Sequence, residues 1–181
     1  ETEKMANHLT HERQRYASHF ELALTQQIHS LNMPKAQFNI QLTTQKRSRE
    51  GDDRIEFFLC PNVGEHQIPL KDGASGGEIS RILLALQALL AGKEKSTTLI
   101  FDEVDANIGG ETATIVGDKL REISSQHQVI CITHFPQVAS QADHHLQISK
   151  EEKEGRTMTI VQTLDPLSRQ RELARMSGLK S

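Results

Sequence analysis

Thr98-Leu99-Ile100-Phe101-Asp102-Glu103 is an apolar run that ends in two carboxylates. A continuous apolar run of this kind is typical of a parallel strand that is covered on both faces. A second such run, over 129–132, follows an amphipathic helical pattern over 111–124 and leads into Thr133-His134. Strand, helix and strand in this order predict two parallel strands joined by a right-handed crossover. The stretch therefore predicts an α/β fold in which polar side chains follow both strands.

The bulk composition is that of an ordinary globular domain. The chain has 181 residues, of which 36% are hydrophobic and 25% charged, and its formal net charge is −3. This charge excludes the overall basic footprint of a DNA-binding module. Cys60 and Cys131 are far apart in the sequence, which favours reduced thiols and a cytoplasmic location. No run reaches the roughly 18 apolar residues of a membrane span, so we expect no membrane partner.

The rest of the chain is predicted to form helices and hairpins. Apolar residues recur at helical spacing over 3–31, which predicts a helix that either packs on the domain or ends a coiled coil. Alternation over 38–42 and an apolar run over 55–60 predict a hairpin with a polar turn over 45–53. The other predicted elements are a loop over 61–73, helices over 79–90, 137–141 and 166–176, and a hairpin of 145–149 with 157–163 across a turn over 150–155.

Ser75-Gly76-Gly77-Glu78 precedes the apolar helix and has two interpretations. A Ser and a Glu three residues apart form a capping box, which is an ordinary way to start a helix. A cap does not need two glycines, each of which weakens a helix by up to about 1 kcal/mol relative to alanine. Glycines in the first turn let backbone N–H groups approach an anion, and the helix end adds a partial positive charge. We therefore expect both a cap and a phosphate contact.

Acidic residues and a histidine follow the two central strands. Asp102 and Glu103 lie where α/β proteins bind ligands, and Asp105 adds a third carboxylate. One carboxylate can orient Mg²⁺ while a neighbour polarises an attacking water; solvated acids at a strand end are the simpler alternative. His134 is either a surface residue or a group that reaches a terminal phosphate. Together these clusters are what a nucleotide-hydrolysing site requires.

The order of the clusters resembles that of an ABC-type ATPase. Ser75-Gly76-Gly77-Glu78 corresponds to the signature motif, Asp102-Glu103 to the Walker B end, Asp105 to the D-loop and His134 to the switch histidine. The resemblance thus spans three separate segments in the order that the family has.

The flanking residues narrow this resemblance. The runs over 74–81, 101–105 and 133–139 look like those of the RecN family, bacterial SMC-like DNA-repair proteins with an ATPase head on a coiled-coil stalk. The likeness is good over 55–150. Asn107 stands where we expect glycine in the D-loop of this family.

The resemblance implies a fold and a division of the chain. Residues 34–181 would be the C-terminal lobe of a P-loop NTPase head of the ABC/SMC type, an α/β lobe with a largely parallel central sheet flanked by helices. Residues 1–33 would be the coiled-coil end at the base of the stalk. In such heads the phosphate loop lies in the N-terminal lobe, and no G-x-x-x-x-G-K-[ST] occurs in the 181 residues. The isolated chain is therefore expected to hydrolyse ATP poorly.

The resemblance also implies residue roles. ATP and Mg²⁺ would lie between two heads of a homodimer. Asp102 would help hold Mg²⁺, Glu103 would be the general base, and His134 would contact the γ-phosphate. The signature residues Ser75, Gly76, Gly77 and Glu78 would bind the nucleotide held by the opposite head, and Asp105 would act across the same interface.

The implied function is ATP hydrolysis coupled to DNA double-strand-break repair and recombination. The expected partners are DNA, a second copy of the protein and the N-terminal lobe of the same head, and the expected location is the bacterial cytoplasm, at the nucleoid. One alternative is the nucleotide-binding domain of a membrane transporter, although transporters usually carry Leu-Ser-Gly-Gly-Gln where this chain has Ala74-Ser75-Gly76-Gly77-Glu78. The other is an assembly scaffold that does not hydrolyse nucleotide.

Overall fold

A computed structural model describes residues 1–62, 64–73, 76–90, 97–153 and 156–178. The helices in these ranges are α1 (Thr2–Ser30), α2 (Leu70–Gly73), α3 (Gly76–Leu90), α4 (Gly110–Ser124), α5 (Pro136–Ala139) and α6 (Pro166–Met176). The strands are β1 (Gln37–Ser48), β2 (Gly51–Cys60), β3 (Ile68–Pro69), β4 (Thr98–Phe101), β5 (Gln128–Cys131), β6 (Leu146–Lys153) and β7 (Arg156–Thr163).

The predicted strand–helix–strand unit is confirmed. β4 and β5 pair in parallel, with Phe101 opposite Cys131, and α4 connects them. Phe101 lies in one buried core with Leu84 of α3 and Val116 of α4. The parallel sheet among the described residues consists of this pair, while β1–β2–β3 and β6–β7 are antiparallel. The two ends that carry the acidic and histidine clusters are therefore adjacent.

The second face of the parallel pair is open. Ile100 and Ile130 lie opposite each other in the register and have 69% and 45% of their surface exposed. Ile132 and Leu83 are exposed large apolar residues as well. The expectation that the first strand is covered on both faces is therefore wrong for the described residues, because helices cover only the side that Leu99 and Phe101 face.

Both halves of helix α1 contact the rest of the structure, but its large apolar side chains are buried only toward the C-terminal end. Leu24, Ile28 and Leu31 at its C-terminal end are buried in the same core as Phe38 of β1. Side chains of this half also accept hydrogen bonds from β1, since the Ile40 N–H donates to Glu21 Oε1 at 2.6 Å. Toward the N-terminus the predicted apolar stripe is exposed at Met5 (67%) and Tyr16. The helix is confirmed, while the boundary at residue 33 stays a prediction.

The first hairpin is longer than predicted. Residues 45–53 were expected to be a polar turn. Instead, β1 continues to Ser48 and β2 begins at Gly51, so that the turn itself is only two residues long. A bulge lies between Thr44 and Ser48, and Gly51 has φ +98°, a conformation that favours glycine. The polar residues are held by side-chain partners: Arg47 and Asp52 form an ion pair at 2.8 Å.

Two further boundaries differ from the prediction. The expected loop over 61–73 contains the short elements β3 and α2. Strand β6 continues to Lys153, through most of the turn expected over 150–155, because it pairs with β7 down to Arg156. Helix α6 packs beside this hairpin, where Gln147 donates to Glu172 at 2.6 Å. In the described ranges no helix has the length and apolar character that crossing a membrane requires.

We predict that Asp53→Ala lowers the free energy of unfolding by about 1–3 kcal/mol, because it leaves the half-buried donors of Thr10 and Arg13 without their acceptor. The Asp53 carboxylate is buried and accepts hydrogen bonds from Thr10 at 2.8 and 2.9 Å and from Arg13 at 3.0 Å, so it joins α1 to β2. Chemical denaturation measures the change. Asp52→Ala is the matched control, since it breaks a more exposed pair and should have a much smaller effect. Equal losses for both variants would contradict the proposed link.

Candidate functional site

The start of α3 rests directly on the backbone of the loop that follows β4. A Cβ atom built on Gly77 would lie 2.5 Å from the carbonyl oxygen of Ala106, closer than real Cβ atoms come. One turn further along the helix, the Ser80 hydroxyl donates to the carbonyl of Asp102 at 3.2 Å. The absence of a side chain at Gly77 therefore allows the helix start and the acidic loop to touch.

The acidic loop itself contains two residues with left-handed backbone. Glu103 has φ +57° and Asn107 has φ +60°, and a turn bond joins Ala106 N–H to the Glu103 carbonyl at 3.0 Å. Asparagine tolerates this conformation, which explains how it occupies a position where glycine is expected. For Glu103 the same conformation stores strain of order 1–3 kcal/mol. It turns Glu103 out of the strand, so that Oε2 lies 3.2 Å from the point where a Gly76 Cβ would be.

Asp105 connects this loop to the one after β5. Its side chain is 2% exposed, and its Oδ2 accepts a hydrogen bond from the Thr133 hydroxyl. Its other oxygen, Oδ1, lies 3.8 Å from Nδ1 of His134, whose side chain is 72% exposed. The His134 ring also lies against Phe135, with centroids 4.4 Å apart. Asp105 is thus the buried member of the cluster and His134 the accessible one.

The strand ends carry a concentration of negative charge. Asp102 and Glu103 are exposed, and neither forms an ion pair with a lysine or arginine among the described residues. These charges also act on the neighbouring Cys131 thiol. Burial, followed by the charges of Asp105 and Asp102, raises the pKa of this thiol to about 12. The thiol therefore stays protonated at neutral pH. The exposed carboxylates of Asp102 and Glu103 favour a cation at this end of the sheet.

Arg81 is the buried cation nearest the acidic loop. Its Nη1 donates to the Ala106 carbonyl at 3.4 Å, while its Nε has no hydrogen-bond partner among the described residues. Burial lowers the pKa of Arg81, and the charge of Glu78 partly opposes that shift. Arg81 therefore contacts the same carbonyl oxygen that lies against Gly77.

The structure brings most of the predicted residues together. Gly76 and Gly77 adjoin the loop with Asp102 and Glu103, and Asp105 adjoins His134. Glu78 lies in the first turn of α3. Ser75 lies outside the described residues, so its predicted contact and the capping box remain predictions.

Two residues in the site, Thr133 and Arg81, had no role predicted from the sequence. Thr133 could have been found, since it directly precedes His134 in the sequence. Arg81 could not, because an arginine on an apolar helix carries no signal of its burial against a distant carbonyl.

No group of three or more His, Cys, Asp or Glu among the described residues is arranged to hold a metal ion. A site for Zn²⁺ or Ca²⁺ would use several protein ligands. Mg²⁺ commonly uses one or two carboxylates together with phosphate oxygens and water. The exposed Asp102 fits that smaller requirement.

The solved structures that this fold resembles are SMC ATPase heads. An SMC head with a coiled coil and joint from Pyrococcus yayanosii matches 91% of this chain and 30% of its own, with 20% identity and a TM-score of 0.65. A structure from work on ATP-driven dimerisation and DNA-stimulated activation of SMC ATPases matches 92% of this chain and 96% of its own, with 19% identity and a TM-score of 0.56. The chain therefore has the fold of an SMC-type ATPase head lobe, as predicted.

In sequence, the chain is similar to proteins named RecN. The chain is 45% identical over 179 residues to the DNA repair protein RecN of Rickettsia prowazekii, which is 98% of this chain and 32% of that protein. It is 42% identical over 175 residues to RecN of Vibrio cholerae, covering 96% of this chain and 32% of that protein. No family model matches the chain. The predicted resemblance to RecN is confirmed, and the chain spans about a third of the length of these relatives.

We predict that Gly77→Ala destabilises the protein by about 1–3 kcal/mol, the usual effect of overpacking against atoms that cannot move aside. The Ala106 carbonyl is backbone, so either α3 or the acidic loop has to shift. Gly109→Ala is the control, because nothing lies within 4 Å of its Cβ position. Denaturant midpoints of the two variants measure the difference, and a Gly77 variant as stable as the control would contradict the close contact.

Proposed function

We propose that this chain is the C-terminal lobe of a RecN-like, ATP-dependent protein of DNA double-strand-break repair and recombination. Its reaction is ATP hydrolysis between two engaged heads, coupled to DNA binding. The observation that carries the proposal is the contact of three segments: the glycine start of α3, the acidic loop after β4 and the histidine loop after β5. The relatives named RecN support the repair function. Neither a transporter nor a non-hydrolysing scaffold is favoured by any comparison.

The proposed roles follow from exposure and position. Asp102 is exposed at the end of β4 and holds Mg²⁺, which neutralises charge on the phosphates when bound. Glu103 is turned out of the strand and acts as the general base on the attacking water. His134 is exposed beside them and donates to the γ-phosphate. The backbone of Gly76 and Gly77, with Ser75 and Glu78, binds the phosphates of the nucleotide held by the second head.

The second head and a second lobe complete the site. Among the described residues no lysine-bearing phosphate loop faces the acidic cluster, and the sequence contains none. We assign that loop to an N-terminal lobe of the same head, which covers the open face formed by Ile100, Ile130, Ile132 and Leu83. Helix α1 is the helix of a coiled-coil stalk that returns to the head, and its exposed stripe around Met5 and Tyr16 pairs with the outgoing helix of that stalk. The location is the bacterial cytoplasm, at the nucleoid.

Glu103→Gln should lower ATP turnover by about 10²- to 10⁴-fold, the usual contribution of a general base, while ATP binding remains. The measurement uses the protein that contains this chain together with its N-terminal lobe, and compares steady-state hydrolysis with nucleotide retention after gel filtration. Glu122→Gln is the control, because this glutamate is exposed in the last turn of α4, at the opposite end of the helix from the acidic loop. Unchanged turnover in the Glu103 variant would remove this residue from the mechanism.

Ser75→Arg should abolish ATP-dependent head dimerisation and leave ATP binding by a single head intact. The reason is that the signature motif contacts the nucleotide of the opposite head, so an arginine there blocks engagement without touching the chain's own nucleotide. Light scattering of Glu103→Gln heads with ATP, with and without Ser75→Arg, measures the dimer. Ser125→Arg, at the exposed far end of α4, is the control. Loss of ATP binding by single heads would contradict the assignment.

A further inference from the structure

Thr133 joins the two loops that carry the proposed site. Its hydroxyl donates a hydrogen bond to Oδ2 of Asp105 and accepts one from the Phe135 N–H at 3.0 Å. The first bond reaches the loop after β4, and the second stays within the loop after β5, which carries His134. One oxygen atom therefore fixes the position of each loop relative to the other.

Burial makes this bond important for the orientation of Asp105. A carboxylate that is 2% exposed is strongly unfavourable unless donors satisfy it. A hydrogen bond to an ionised carboxylate is also stronger than one between neutral groups. Because Thr133 holds Oδ2, it also determines that Oδ1 is the oxygen facing Nδ1 of His134, at 3.8 Å.

We propose that Thr133 is a positioning residue: its hydroxyl holds Asp105 and the acidic loop in place against the His134 loop. The proposal rests on the proposed ATPase function, in which Asp105 and His134 act at the interface between heads. Thr133 itself does not touch the nucleotide. Removal of its hydroxyl takes away this link between the two loops and with it the fixed position of Asp105 Oδ1 relative to Nδ1 of His134.

The first test measures ATP hydrolysis in the protein that contains this chain and its N-terminal lobe. Thr133→Val removes the hydroxyl at nearly constant volume and should lower kcat about 10- to 100-fold, with KM within about threefold, as expected when reacting groups are displaced. Thr133→Ser restores the hydroxyl and should keep kcat within about threefold. The control Thr98→Val removes a hydroxyl that donates to Gln128 at 2.8 Å, at the other end of the parallel pair. Failure of serine to restore kcat would overturn the proposal.

A double-mutant comparison shows whether Thr133 acts through Asp105. Adding Thr133→Val to Asp105→Ala should cause no further loss of turnover, because the hydroxyl then has no carboxylate to hold. A second loss of tenfold or more would show that Thr133 acts by another route and would overturn the proposal.

A third measurement needs no nucleotide and separates this proposal from the ATPase proposal. The Ala106 N–H donates to the Glu103 carbonyl at 3.0 Å inside the acidic loop, and Thr133 does not contact it directly. Hydrogen exchange at this amide should be at least tenfold faster in Thr133→Val and unchanged in Thr133→Ser and Thr98→Val. Unchanged exchange in Thr133→Val would overturn the positioning role. A protein without ATPase activity that shows the expected exchange would instead reject the proposed function.

Discussion

The missing side chain at Gly77 is the constraint on which the site depends. The first turn of α3 contacts the Ala106 carbonyl oxygen so closely that a Cβ atom at Gly77 would lie only 2.5 Å from it. Arg81 donates to the same oxygen at 3.4 Å, and Ser80 donates to the carbonyl of Asp102. The helix therefore positions the acidic loop through backbone contacts. The position of Glu103 follows from that backbone, which is why a strained φ angle persists there.

The central unit could be predicted from sequence, and the first hairpin only in part. Residues 98–134 were predictable because the period of apolar residues and the chemistry at the strand ends are both local signals. The stretch over 45–53 is polar and has no apolar periodicity, so the sequence predicts a turn there. It extends the strands because Asp53 bonds to Thr10 and Arg13, about 40 residues earlier in the chain. A contact of that sequence separation leaves no periodic pattern for sequence analysis to detect.

The wrong prediction for the faces of β4 has a different cause. The pattern over 98–101 is apolar on both sides, yet Ile100 and Ile130 are exposed while Leu99 packs on the core. A soluble monomer rarely leaves such a patch uncovered. The apolar residue types of β4 are thus typical of a strand that is covered on both faces. The described residues cover only one of those faces. The proposed N-terminal lobe accounts for this difference, because it supplies a cover for the open face.

The electrostatics of the strand ends favour a nucleotide shared between two heads. Burial, followed by the charges of Asp105 and Asp102, raises the pKa of Cys131, and Glu103 adds a third carboxylate to the negative field at this strand end. That field suits a cation and repels phosphate. The start of α3 has the opposite character, because the N–H groups in the first turn of a helix attract an anion. The negatively charged loop and the anion-attracting helix start lie next to each other, since Glu103 Oε2 is close to Gly76. A phosphate bound by both within a single lobe would face the Glu103 carboxylate at short range. The proposed arrangement of two nucleotides between two heads avoids this repulsion, because the acidic loop would then serve the nucleotide of its own head through Mg²⁺ and the glycine turn that of the partner.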